Sequence, residues 1–90
     1  MTMKVDKEFI LREIAGEYVI IPTGKTVLSF NGLLTVNGIG SFLWERLQKE
    51  VTREELVAAV LDEYDVDEKT AGADIDEFLG ILIEKQILEK

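Results

Sequence analysis

The stretch at residues 30–47, FNGLLTVNGIGSFLWERL, changes its period in the middle. Leu33 to Val36 is a short, uncharged, strand-favouring run that follows Asn31-Gly32. From Asn37 onward Ile39, Phe42, Leu43 and Leu47 recur at helical spacing, which predicts a helix over about residues 38–48. Asn37 suits the N-cap, because its short side chain accepts from the unpaired amides of the first turn, whereas Gly38 and Gly40 weaken that turn. A strand therefore abuts a helix without a spacer. It has no charge and no proline to blunt its edge, so the fold reading turns on what covers that edge.

Upstream, residues 9–14 (FILREI) and 17–21 (EYVII) are two β-rich runs separated by Ala15-Gly16. Gly16 can adopt a positive φ, and a hairpin closed with a bulge is expected here. Pro22-Thr23-Gly24 supplies a second reversal, with proline pre-setting φ at the first corner. Residues 26–30, TVLSF, are open to two readings. They form a strand joined to Leu33–Val36 by a type I′ turn at Asn31-Gly32, or an irregular crossing that leaves Leu33–Val36 as the third strand.

Downstream the pattern is helical. Thr52 followed by Glu55 is a capping-box pair, and Leu56, Val57, Val60, Leu61 and Tyr64 share one face behind it. Asp67 caps a third, longer helix whose buried stripe is Ala71, Ile75, Phe78, Leu79 and Leu82, with Ile81 and Ile83 on its two flanks. The fold class is α+β: a small three-stranded antiparallel sheet followed by three helices, in the outline of a winged helix-turn-helix domain.

Ninety residues, 47% of them hydrophobic, suit a single domain over residues 1–90, with residues 1–8 expected as a flexible N-terminus. A chain of this size buries only about 60 to 65% of its unfolded surface. Lacking cysteine and histidine, it offers no disulfide, no zinc or haem ligand of those types and no Cys/His nucleophile; no cofactor or metal is expected. Lys4, Asp6, Lys7, Glu8, Arg12 and Glu13 leave no room for a signal-peptide apolar region. No apolar run approaches the ~20 residues that span a bilayer, and a cytoplasmic protein is expected. The net charge of −8 opposes binding to nucleic acid or an anionic membrane.

Three functional classes compete. Glu54-Glu55, Asp62-Glu63 and the acids from Asp65 to Glu68 sit at helix ends or on polar faces, whereas carboxylate catalysis needs two groups converging on a cleft. Residues 62–68 also lack the alternating acids and central glycine of a calcium loop, and NGLLTVNGIG lacks the Gly-Lys-Ser/Thr of a phosphate loop. No enzyme chemistry is expected. DNA binding fits the winged-helix outline, but the last helix carries Asp67, Glu68, Asp74, Asp76, Glu77 and Glu84 against Lys69 and Lys85. Peptide binding fits the bare strand, since a foreign strand would satisfy its edge. The other possibility is an edge covered within the chain, by residues 26–30 or by the third helix, and pattern alone leaves both open.

Taken in order, LREIAGEYVIIP, FNGLLTVNGIGSFLWERL and VTREELVAAVLDEYDVDEKTAGADIDEFLGILIEKQIL resemble the PqqD family of RiPP recognition elements over residues 9–88. The most telling pieces are the strand-Asn-helix junction from Leu33 to Trp44 and the Glu-Tyr-Asp-Val junction at residues 63–66 before a long last helix. The resemblance implies a non-catalytic domain that binds the leader of a ribosomally made precursor peptide. It would present the core to a modifying enzyme, often a radical S-adenosylmethionine enzyme. In that family the leader adds a strand to the third strand and lies between it and the third helix. Carried onto this chain, the strand is Leu33, Leu34, Thr35 and Val36, and the helix wall is Asp74, Phe78, Ile81 and Leu82, with Gly80 letting the peptide approach. Ile81, off the buried stripe, is the preferred contact. The acidic charge favours a leader carrying Lys or Arg. A winged-helix DNA binder, another protein-interaction adaptor and a homodimer joined through the same edge are the alternatives.

Overall fold

A computed structural model of the chain describes residues 2–24 and 34–89. Within them the order is β1 (Lys4–Val5), β2 (Phe9–Ile14), β3 (Glu17–Pro22), β4 (Leu34–Val36), α1 (Gly38–Arg46), α2 (Arg53–Glu63), α3 (Glu68–Glu84) and β5 (Leu88–Glu89). Strands β2, β3 and β4 form an antiparallel sheet in that order, and β1 pairs with β5 in a second, two-stranded one. The chain is thus α+β, with the expected three-stranded sheet and three helices. The two readings of TVLSF, and Leu33, fall outside the described residues.

Turn chemistry sets the strand register. Ile14 pairs with Glu17, so the β2–β3 loop is two residues long and no bulge is used. Ala15 (φ 53°) and Gly16 (φ 83°) both sit in the left-handed region, as a tight turn matched to strand twist requires. Pro22 ends β3 as a strand residue opposite Phe9, and the Thr23 N–H donates to Glu8 O at 2.6 Å.

Each helix starts on a side-chain cap. Asn37 Oδ1 accepts from the Gly40 N–H at 2.8 Å, and Asp67 Oδ1 accepts from the Thr70 N–H at 2.7 Å. Thr52 and Glu55 form a full capping box, each side chain accepting from the other's backbone N–H at 3.1 and 2.8 Å. The Thr70 amide holds the Asp67 carboxyl below its ordinary pKa. That contribution is present above the ordinary carboxylate pKa and is lost as pH falls through the lowered one. At its other end α3 closes in a Schellman motif: Gln86 (φ 60°) donates to Ile83 O at 3.1 Å and Ile87 to Leu82 O at 2.8 Å. Ile87 and Leu82, the pair that packs across this motif, are both fully buried.

The helical stripes meet the inner face of the sheet. Leu43, Leu56, Val60, Ile75 and Leu82 are covered almost completely and close on Ile20 of β3. All five stripe residues expected on the third helix are buried. Leu61, expected on the buried face of the second helix, is instead 37% exposed: it lies about 100° around the helix from the fully buried Val60, on the side that lines the groove toward α3. The Phe42 ring meets Tyr64 edge-on at 5.4 Å with the Arg46 guanidinium 4.5 Å above it, tying α1 to the end of α2. No described helix is long and apolar enough to cross a membrane.

Within the segment expected as a flexible N-terminus, residues 3–6 make specific backbone contacts with the rest of the fold. Val5 is only 2% exposed, its N–H donates to Leu47 O at 2.9 Å, and the Asp6 N–H donates to Ile87 O at 2.7 Å. Met3 forms a bridge with Val51, so this short piece clasps the α1–α2 connection and the C-terminal strand together. A two-residue strand with a single inward side chain has no periodicity to betray it. Val5→Ala is expected to cost about 2 kcal/mol in urea unfolding, from lost methyl burial and the cavity left behind. A loose arm would give no change. Gln86→Gly should gain about 1 kcal/mol by relieving the left-handed backbone of a residue with a Cβ, read as a higher melting temperature.

Candidate functional site

Strand β4 takes its register from β3, with Ile20, Val19 and Tyr18 opposite Leu34, Thr35 and Val36. Among the described residues it is an edge strand. Leu34 and Val36 are half-buried and pack against the core, whereas Thr35 is exposed, so the pleat alternates as a one-sided sheet requires. In an edge strand, alternate residues point their N–H and C=O away from the sheet. The opposite edge, β2, bears the exposed charges Arg12 and Glu13, which discourage pairing.

A cleft of about 210 Å³ runs beside β4. One wall is β4 with Asn37, Ile39 and Gly40 from the start of α1; the other is Asp74, Glu77, Phe78 and Ile81 of α3. Those four helix positions are spaced i, i+3, i+4 and i+7, a single face. Ile39 and Ile81 are half-buried, Phe78 is a core residue at the cleft's floor, Asp74 is half-buried and Glu77 is exposed. The cleft therefore mixes apolar side chains with polar ones, two of them carboxylates.

Gly40 sets the cleft's closed end. A Cβ there would stand 2.9 Å from Val36 Cβ and 3.2 Å from Phe78 Cε1, distances that a fixed β-branched carbon and a core ring cannot yield cheaply. The bare backbone lets α1 start directly against β4 and α3. The same cap that begins the helix, Asn37 on the Gly40 amide, holds this approach.

Of the expected site residues, Leu34, Thr35, Val36, Asp74, Phe78 and Ile81 come together around this one cleft. Leu33 lies outside the described residues. Leu82, expected both in the buried stripe and on the helix wall, is fully buried and does not line the cleft, since one position past Ile81 turns a side chain about 100° around the helix. Gly80, one position before, is exposed and does not line the cleft; the glycine that allows a close approach is Gly40. Asn37, Ile39, Gly40 and Glu77 also line the cleft and are not among the expected site residues. Glu77 could have been found from its helical spacing to Asp74 and Ile81, and Asn37 from its role as cap.

A larger groove, about 630 Å³, opens between α2 and α3 around Val57, Leu61, Gly72 and Ala73. It contains no strand edge. At its rim the Arg53 guanidinium donates to both Asp76 oxygens, at 2.7 and 3.0 Å, and both side chains are about half exposed. The hydrogen bond raises the Arg53 pKa and holds Asp76 below the usual carboxylate value. Such exposed pairs add little stability, and size alone does not make this groove the better site. Among the described residues no group of acids is arranged to hold a metal ion.

Fold and cleft define a small α+β domain organised around an edge strand and the flank of its last helix. The chain belongs to the PqqD family: the model of coenzyme PQQ synthesis protein D (PqqD) matches residues 17–88. The solved structure of TbiB1 in complex with the TbiA(beta) leader peptide superposes with a TM-score of 0.74 at 28% identity, covering 96% of this chain and 94% of that one. Lasso peptide synthetase B1 complexed with the leader peptide superposes with a TM-score of 0.73, covering 98% of each chain; at 16% identity this likeness speaks to the fold alone. No curated protein matches the sequence.

Gly40→Ala should cost about 1 to 3 kcal/mol in chemical unfolding by pushing α1 off β4 and Phe78. Gly38→Ala is the control: nothing lies within 4 Å of its added carbon, so stability should hold or rise slightly.

Proposed function

We propose that this protein is a RiPP recognition element: it binds the leader of a ribosomally synthesised precursor peptide by adding it as a strand to β4. The observation that carries this reading is the coincidence of an uncharged edge strand with a cleft walled by α3. An incoming strand satisfies the outward N–H and C=O groups of β4, which supplies affinity with little regard to sequence. Alternate side chains of that strand then face Leu34, Val36 and the α3 wall, which supplies selectivity. Family membership and the likeness to TbiB1, a protein solved with a leader peptide, support the same reading.

The domain contributes binding rather than bond-making. By holding the leader it raises the effective concentration of the attached core peptide at a modifying enzyme, for which a radical S-adenosylmethionine enzyme is one candidate class. The DNA-binding alternative is disfavoured by the acids of α3, whose field repels phosphate.

The test is calorimetric titration with the leader of a short precursor peptide encoded beside this protein. Thr35→Pro, which deletes a backbone donor and distorts the edge, should abolish binding. Ile81→Asp should weaken it at least tenfold with helicity retained. Unchanged affinity in folded forms of both variants contradicts strand addition at β4.

A further inference from the structure

We infer that the strand accepted by this cleft carries a lysine or arginine two residues away from an apolar side chain. The cation is held by Asp74 and Glu77, and the apolar group rests on Phe78 and Ile81. The inference rests on the strand-addition reading and specifies its ligand.

Charge complementarity is the first ground. The cleft's lining contains two carboxylates and no cation. Among the described residues the ion pair on α3 is taken by Asp76, which faces the other groove with Arg53, so Asp74 and Glu77 have no cationic partner there. Asp74 is half-buried beside the cleft and Glu77 is exposed at its rim, so a cation on an incoming strand would meet both carboxylates. The net charge of −8 adds long-range attraction for a basic peptide.

Spacing is the second ground. Asp74 precedes Phe78 by four positions, and Glu77 precedes Ile81 by four. Four residues of helix rise about 6 Å. Same-face neighbours in a strand, two residues apart, are separated by about 6.5 to 7 Å. For a strand laid along α3, the helix thus offers two acid-then-apolar pairs at a spacing close to that of an extended chain. A peptide alternating a basic and an apolar residue on one face matches either pair, whereas an acidic residue at that place meets two carboxylates.

The experiment is a display selection of random peptides, long enough to span β4, on the intact protein at low salt, followed by titration of synthetic copies of the enriched peptides. Enriched peptides should share Lys or Arg two positions from an apolar residue. Their affinity should fall about tenfold for the Asp74→Asn, Glu77→Gln double variant and should drop with added salt, as for partly exposed ion pairs. They should also be lost on Thr35→Pro and on Ile81→Asp, each checked for folding by circular dichroism. Peptides that need Thr35 and Ile81 but show no basic enrichment, or bind the double variant equally well, overturn the cation inference and leave strand addition standing. Basic peptides that bind the Thr35→Pro and Ile81→Asp variants undiminished overturn both readings, because recognition then lies elsewhere. A selection without binders also counts against both.

Discussion

Between Val36 and Gly40 the chain leaves a sheet and enters a helix with one residue, Asn37, in between. Its side chain accepts the Gly40 amide, and the missing Cβ of Gly40 lets the first turn of α1 lie against Val36 and Phe78. That close approach seats β4 at the sheet's margin with α3 beside it. A side chain at Gly40 would press on Val36 and Phe78, two residues that line the cleft. One glycine and one cap thus fix how closely α1 approaches β4 and α3 at the cleft.

Helix α3 organises the rest. Its buried stripe, Ala71 to Leu82, separates two exposed flanks, one facing β4 and the other facing α2. Phe78 lies at the margin of the stripe, which is why it serves both the core and the cleft floor. On the α2 side, Arg53 and Asp76 neutralise one another. On the β4 side the carboxylates have no such partner among the described residues, and the helix is electrostatically lopsided in the direction of the edge strand. The pairing of β1 with β5 and the bridge from Met3 to Val51 close the fold with residues that do not line this cleft.

Much of this was legible in the residues. Thr52-Glu55 and Asp67 marked two helix starts, the apolar arc from Ala71 to Leu82 marked the buried face, and Asn37 marked the change from strand to helix. Local chemistry of this kind acts over three or four positions and leaves a readable spacing. The clasp at Met3–Val5 was not legible, because its partners lie more than 40 residues away and a two-residue strand has no period. The sequence points to one left-handed residue, Gly16, and so to a bulge at the β2–β3 turn, whereas Ala15 is left-handed as well and the loop is a two-residue one. The family resemblance alone does not separate Leu82, which the helical arc puts in the core, from Ile81 beside the cleft; Gly40 reads in the sequence as a weak helix start, whereas its neighbours make it a packing requirement.

Hydrogen exchange at β4, followed residue by residue by NMR in the free monomer and after addition of the leader, bears most directly on whether this edge is held open for a foreign strand. The outward-facing amides of Leu34 to Val36 should exchange quickly in the free protein, while those of β3 are protected, and they should become protected when the leader binds. Protection in the free monomer equal to that of β3, with no further slowing on adding the leader, would mean that the edge is already paired within the chain.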